Sequence, residues 1–328
     1  MLNARRAWIL LLWSLSAGAA PLCGLHPAAA PVLRALTQAM AQGRFIAYQP
    51  TQIRVVDGHA SMADEAGIAA DLKALRPRFD ALITYGALNG ADRVADVAAT
   101  LGYRAVILGV WDAGDAAEVR AALAAARRQP KLVVGLSLGN ERVLAGRTDF
   151  ASVARALQSL RQQAPGLPLT TTEPFHLFVQ PAAAPLLASA DFLLINAHPV
   201  FQPWFRSAGD ADAAHFVVNV VAQVAQAFCG PVLVKETGVP TAPAQLGFTP
   251  ERQASFYAEL RGQLPPGPRR AFAYFSAFDA AWRVGDSHPT AGPQPQEGSW
   301  GLYSEARVPK PAALALPLLA PAGSATSH

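Results

Sequence analysis

Short apolar runs recur along the chain at residues 45–49, 81–85, 105–111, 132–138, 167–172, 192–197, 231–234 and 271–278. Each has the length of a buried strand, about 4–8 residues. Segments of helical composition separate them, at 65–75, 91–101, 116–128, 150–163, 182–189, 211–228 and 250–263. Alternation of strand and helix predicts a parallel sheet, and eight strands with covering helices predict a closed (β/α)8 TIM barrel. An open doubly wound sheet is the alternative, but no Gly-rich phosphate loop follows an early strand.

The punctuation agrees with these elements. Thr249 followed by Pro250-Glu251 reads as a cap with proline at the first helical position, and Thr148-Asp149 opens the helix after the fourth run. Gly102 and Gly230 stand just before strands, where helices often exit through glycine. The expected organisation is a signal peptide at 1–20, a leader at 21–42, a barrel at 43–308 and an Ala/Pro-rich, poorly ordered tail at 309–328.

Length and composition fit this picture. The chain has 328 residues, and a barrel needs about 250. Hydrophobic residues make up 52% and charged residues 15%; much of the apolar excess is alanine in helical stretches. Arg5 and Arg6, an apolar stretch over 7–15 and small residues at 16–20 form the order of an export signal. That stretch falls short of the roughly 20 residues that span a bilayer. Export to the periplasm or the cell exterior is expected, with an uncleaved membrane anchor as the alternative. Cys23 suggests a lipoprotein, but Ala20-Pro21-Leu22 before it suit such a site poorly. Cleavage would remove Arg5 and Arg6 and lower the net charge from +4 to +2. No Lys/Arg stripe is present, so no nucleic-acid partner is expected, and no membrane partner beyond the N-terminal segment. Cys23 and Cys229 are read as unrelated thiols, although an oxidising compartment would let them pair. No Cys/His spacing suits a metal, and no cofactor is expected.

Candidate chemistry lies at two run ends. The run at 132–138 leads into Gly139-Asn140-Glu141, and the run at 231–234 into Lys235-Glu236-Thr237-Gly238. A barrel carries its chemistry at the C-terminal ends of its strands, and glycoside hydrolysis needs two carboxylates flanking one sugar bond. Asp57, Asp112, Glu173, Asp279 and Glu297 also fall near strand ends or loops. For Asp112 and Glu173, capping and substrate contact are equally open readings, and Asp279 lies closer to the expected mouth. Tyr48, Tyr85, Trp111, His198, Phe201, Trp204, Phe275, Trp282 and Trp300 lie where rings offer flat faces to sugars, with core packing the stronger reading for Phe275 and Phe278.

The chain resembles glycoside hydrolase family 17, the β-1,3-glucanases and related glucanosyltransferases, over about residues 45–310. The resemblance runs through Leu108-Gly109-Val110-Trp111, Gly139-Asn140-Glu141, Ile195-Asn196-Ala197-His198-Pro199, Glu236-Thr237-Gly238-Val239-Pro240-Thr241, Phe275-Ser276-Ala277-Phe278-Asp279 and Trp300-Gly301-Leu302. It implies Glu141 as acid/base, Glu236 as nucleophile, a retaining mechanism, and Asn140 near the sugar 2-hydroxyl. Tyr48, Tyr85, Trp111, His198, Phe201, Asp279 and Trp300 complete the expected binding set, for a β-glucan poly- or oligosaccharide. Departures from the family pattern are Val239 for an aromatic, Lys235 for a small or hydroxylated residue, Ile83 where arginine is frequent, and Ser276 and Ala280 in place of carboxylates. Strand alternation aims Lys235 away from Glu236 toward the helices, unless a bulge turns it inward. Hydrolysis, transfer to a sugar acceptor by the same pair, and glucan binding without catalysis are the three functions carried forward.

Overall fold

The computed structural model describes residues 29–286 and 294–320. The signal segment and Cys23 lie outside the described residues. Eight strands form a closed, all-parallel barrel: β1 (Phe45–Tyr48), β2 (Ala81–Thr84), β3 (Ala105–Val110), β4 (Val133–Asn140), β5 (Leu169–Pro174), β6 (Leu193–Asn196), β7 (Val232–Glu236) and β8 (Arg270–Tyr274). Pairing of β1 with both β2 and β8 closes it. The main helices are α1 (Ala29–Gln42), α2 (Glu65–Leu75), α3 (Val94–Thr100), α4 (Ala116–Arg128), α5 (Phe150–Gln163), α6 (Ala184–Ser189), α7 (Asp210–Ala227) and α8 (Pro250–Gln263). The caps expected at α5 and α8 are present. Asp149 accepts the N–H of Ser152, and Thr249 accepts that of Arg252 ahead of Pro250.

Alternation along the strands sorts the core into two layers. Leu82, Val106, Leu108, Leu193 and Val234 pack outward among the helices. Ala81, Ile83, Ala105, Ile107, Leu194, Leu233 and Ala273 belong instead to a separate inner cluster with Leu33, Leu36, Ala39 and Met40 of α1. The segment read as a leader therefore supplies a helix whose apolar face packs into the barrel interior. The tail also departs from expectation. Ala312, Ala313 and Leu316 are buried, and the Leu319 N–H donates to Pro77 O at 2.8 Å, so the chain as far as Leu319 is tied to the barrel. A small hairpin between Val55–Val56 and His59–Ala60, unforeseen from the sequence, stands in the loop after β1. Cys229 is disulfide-bonded rather than a lone thiol. Among the described residues no helix is long and apolar enough to cross a membrane.

Two irregularities place the key side chains. In β4, Ser137 is level with Thr170 while Asn140 is level with Thr172, so one extra residue is inserted. Gly139 there has φ +93° and Glu141 φ +52°, a left-handed backbone that glycine takes freely and glutamate does not. In β7, Val234 pairs with Ile195 and Glu236 with Asn196, which leaves Lys235 unpaired as a bulge.

Candidate active site

A cleft of about 580 Å³ opens at the C-terminal ends of the strands, and Glu141 and Glu236 both line it. With them stand Asn140, Tyr85, Trp111, His198, Phe201, Asp279 and Trp300, all expected from the sequence. Tyr48 is displaced from the group. It is fully buried, and its hydroxyl donates to Asp71 of α2 at 2.9 Å. Strand alternation turns it outward toward the helix layer. Trp204 likewise packs edge-on against Phe216 of α7, ring centroids 5.5 Å apart.

Glu141 is held from three directions. Its N–H donates to Thr172 O at 2.8 Å. Asn196 Nδ2, from the end of β6, donates to Glu141 Oε1 at 2.8 Å. Glu173, fully buried at the end of β5, accepts the N–H groups of Val143 at 2.8 Å and Leu144 at 3.2 Å, fixing the loop that carries Glu141. Glu173 is thus a brace and not a substrate contact.

Glu236 sits deeper. His198 Nε2 lies 3.5 Å from Glu236 Oε2, and Lys235 Nζ lies 3.7 Å from Oε1. Lys235 is 2% exposed. The bulge turns it inward, against the outward direction that plain alternation predicts, and its Nζ donates to Asn140 Oδ1 at 2.5 Å. The same ammonium sits 4.1 Å from the centre of the Tyr85 ring, at cation–π distance. Beyond Glu236, the Tyr257 hydroxyl from α8 lies 2.7 Å from Thr237 O and 2.8 Å from Phe275 O. It also accepts the Phe275 N–H at 2.9 Å, tying the ends of β7 and β8 together. A Cβ at Gly238 would meet the Tyr257 hydroxyl at 2.7 Å and Phe275 O at 2.8 Å, which explains the glycine two residues after Glu236.

The environments drive the two carboxyls apart. Burial, joined by the charge of Glu236, raises Glu141 above its ordinary value; the Asn196 hydrogen bond, His198 and Lys235 limit the rise. Burial alone would raise Glu236 too. The hydrogen bond from His198 and the charges of Lys235, His198 and Arg283 outweigh it and draw Glu236 down to about 2. Two facing carboxyls whose environments push their titration in opposite directions are suited to different roles in proton transfer and attack.

The aromatic residues divide by exposure. Trp111 is 52% exposed and Phe201 61% exposed, on the loops after β3 and β6. Trp300 is 2% exposed and forms a wall, packed edge-on against His198 and Phe275 with centroids 5.1 Å away in each case. Asp279 touches the cleft, but its Oδ1 accepts from Lys310 Nζ at 2.6 Å and from the Gly301 N–H at 3.0 Å. Its main bonds anchor the segments after β8.

Sequence reasoning did not single out Asn196, Glu118 or Asp71. Asn196 stood inside a quoted motif, and its place at the end of β6 was the available signal. Glu118 looks like an ordinary acid in the first turn of α4. It is buried and accepts the N–H groups of Ala87 at 3.0 Å and of Trp111 and Asp112 at 2.9 Å, setting the loops after β2 and β3. Asp71 reads as a helix-face acid, yet it binds Tyr48, Thr51 and Arg307. Among the described residues no group of three or more His, Cys, Asp or Glu is arranged to hold a metal ion.

Solved structures share this fold. A glycoside hydrolase family 17 β-1,3-glucanosyltransferase from Rhizomucor miehei is similar at 22% identity and TM-score 0.63, over 82% of this chain and 95% of that one. An endo-laminarinase from Formosa is similar at 17% identity and TM-score 0.63, over 80% of this chain and 83% of that one. A β-glucuronidase from Dictyoglomus thermophilum is similar at 15% identity and TM-score 0.59, over 83% of this chain and 49% of that one. No curated protein matches the chain. Residues 46–301 match the BtgE/BtgC glycoside hydrolase domain, and the chain belongs to that family.

Proposed function

We propose that the protein is a retaining β-glycosidase acting on β-1,3-linked glucan, with Glu141 as acid/base and Glu236 as nucleophile. One observation carries the reading: two carboxyls from the ends of β4 and β7 line one cleft, one raised by burial and the other held ionised. In the first step Glu141 gives its proton to the departing glycosidic oxygen while Glu236 attacks the anomeric carbon and forms an ester. Esterification removes the charge of Glu236, so Glu141 ionises more easily. It then takes a proton from the incoming hydroxyl, which attacks the anomeric carbon and releases Glu236. The choice of β-1,3-glucan leans on the activities of similar folds, a glucanosyltransferase also known with laminaritriose and an endo-laminarinase.

Transfer to a sugar acceptor is the second reading. Trp111 and Phe201 stand exposed on loops after strands three apart around the barrel. Rings on two sides of the cleft can hold sugar on both sides of the cleaved bond, which favours a sugar hydroxyl over water. Incubation with laminari-oligosaccharides tests both readings. Shorter products whose first-formed anomer is β mean retaining hydrolysis, and longer products mean transfer. Unchanged oligosaccharides overturn the proposal.

A further inference from the structure

The proposed two-step reaction does not by itself call for Lys235, although this lysine is the most buried cation at the site. A buried ammonium is costly unless every proton finds a partner. Here three partners surround it: Asn140 Oδ1 at 2.5 Å, Glu236 Oε1 at 3.7 Å and the face of Tyr85 at 4.1 Å. The β7 bulge exists at this one residue and turns Lys235 and Glu236 to the same side.

The chemistry of the contact with Asn140 carries further. An ammonium only donates, so the Asn140 atom facing it is the amide oxygen. That fixes the amide's rotation. Its NH2 is turned away from Lys235, and Asn140 itself lines the cleft beside Glu141. Asn140 therefore offers substrate a donor and not an acceptor. Glu236 Oε1 is buried, and the Lys235 ammonium is a cation 3.7 Å from this oxygen.

We propose that Lys235 is a positioning residue of this site, one ammonium that both orients Asn140 as a hydrogen-bond donor toward an acceptor oxygen beside the reacting carbon and keeps the neighbouring Glu236 charged. The proposal rests on the glycosidase reading. On that reading, the acceptor oxygen is the sugar 2-hydroxyl, whose hydrogen bonds strengthen in the transition state. The other groups facing Glu236 are His198 from the loop after β6, Arg283 beyond β8, Glu141 after β4 and Tyr85 after β2. His198 and Arg283 remain when Lys235 is replaced, so part of the effect on Glu236 persists without it.

The test replaces Lys235 with methionine, which keeps the stem and removes the charge. The titration of Glu236 is followed by carbon NMR of labelled glutamate, a readout that needs no turnover. Loss of a cation this close should move it upward by about one pH unit or more. On activated donors, the acid limb of kcat/KM should rise with it. The preference for a glucosyl donor over its 2-deoxy analogue should shrink by about tenfold, because Asn140 is no longer fixed. Lys235→Gln keeps an amide donor for Asn140 without the charge. It should move the acid limb while keeping most of the 2-hydroxyl preference, and it carries the test if the methionine variant does not fold. A folded variant with Glu236 titration and the 2-deoxy ratio both unchanged overturns the proposal. If the wild type is inert on β-glucans while the Glu236 titration still shifts in the variant, the glycosidase reading falls and the link between Lys235 and Glu236 stands.

Discussion

Asn196 Nδ2 donates to Glu141 Oε1 at 2.8 Å across the mouth of the barrel, joining the end of β6 to the residue that follows β4. This bond does two opposed things. It fixes a carboxyl whose backbone is held at φ +52°, and it favours the ionised form, limiting the rise that burial imposes. Removing it should therefore cost orientation and move titration in a known direction.

In Asn196→Ala the Glu141 carboxyl should titrate at higher pH than in the wild type, since the hydrogen bond that lowers it is gone. The basic limb of kcat/KM should move up with it. Activity on substrates with poor leaving groups should fall about 10- to 100-fold, the value of a hydrogen bond to a charged group. A pH–rate profile unchanged in shape would show that Asn196 does not act through Glu141.

Glu173 supplies a prediction about stability. Burial raises its carboxyl to about 7 although two backbone N–H groups favour its charge. In the unfolded chain a glutamate titrates near the ordinary value of about 4.3. Between these values the folded protein holds a proton that the unfolded chain has released, so stability falls as pH rises. The contribution is fully present below about pH 4 and lost as pH passes 7, a difference of roughly 4 kcal/mol. Urea unfolding of wild type and Glu173→Gln across pH 4–8 checks this. The glutamine variant should gain on the wild type as pH rises, and parallel curves would contradict the assignment.

The fold was legible because alternation of apolar runs and helical segments is a low-resolution signal repeated eight times. Capping residues such as Asp149 and Thr249 sharpened the helix starts. The positions of Glu141 and Glu236 were legible from their place at run ends. What escaped depends on contacts between distant elements. Asp71 and Glu118 look like solvated helix acids until the loops they bind are folded against them. Tyr48 misled because a strand-end aromatic faces either the mouth or the helices, and one residue of register decides which. The direction of Lys235 stayed open for the same reason, since regular alternation turns it outward and only the bulge opposite Ile195 and Asn196 turns it in. The tail looked unstructured by composition, yet small alanines let its short helix dock closely.

Export gives a prediction outside the described residues. The order of Arg5 and Arg6, an apolar stretch and small residues predicts cleavage near residue 20. The disulfide at Cys229 fits an oxidising compartment. N-terminal sequencing of protein from its native compartment should begin near Pro21. An intact N-terminus in the membrane fraction would support an anchor instead.

The two proposed catalytic glutamates are separable by chemistry. In Glu236→Ala the group that attacks the anomeric carbon is gone, so ordinary β-glycosides should not turn over. Azide can occupy the vacated space and attack from the same face, giving an α-configured glycosyl azide from an activated β-donor. In Glu141→Ala the nucleophile remains. A dinitrophenyl glycoside needs little protonation of its leaving group, so the glycosyl-enzyme should still form. Its hydrolysis should stall without a base. Azide needs no base and should restore turnover, with a β-configured product after two inversions. The opposite environments of the carboxyls, one raised by burial and the other drawn down to about 2, motivate this division. Near-normal activity of both variants on natural glucan would remove both residues from the mechanism. Azide products of swapped configuration would keep the pair and exchange the roles.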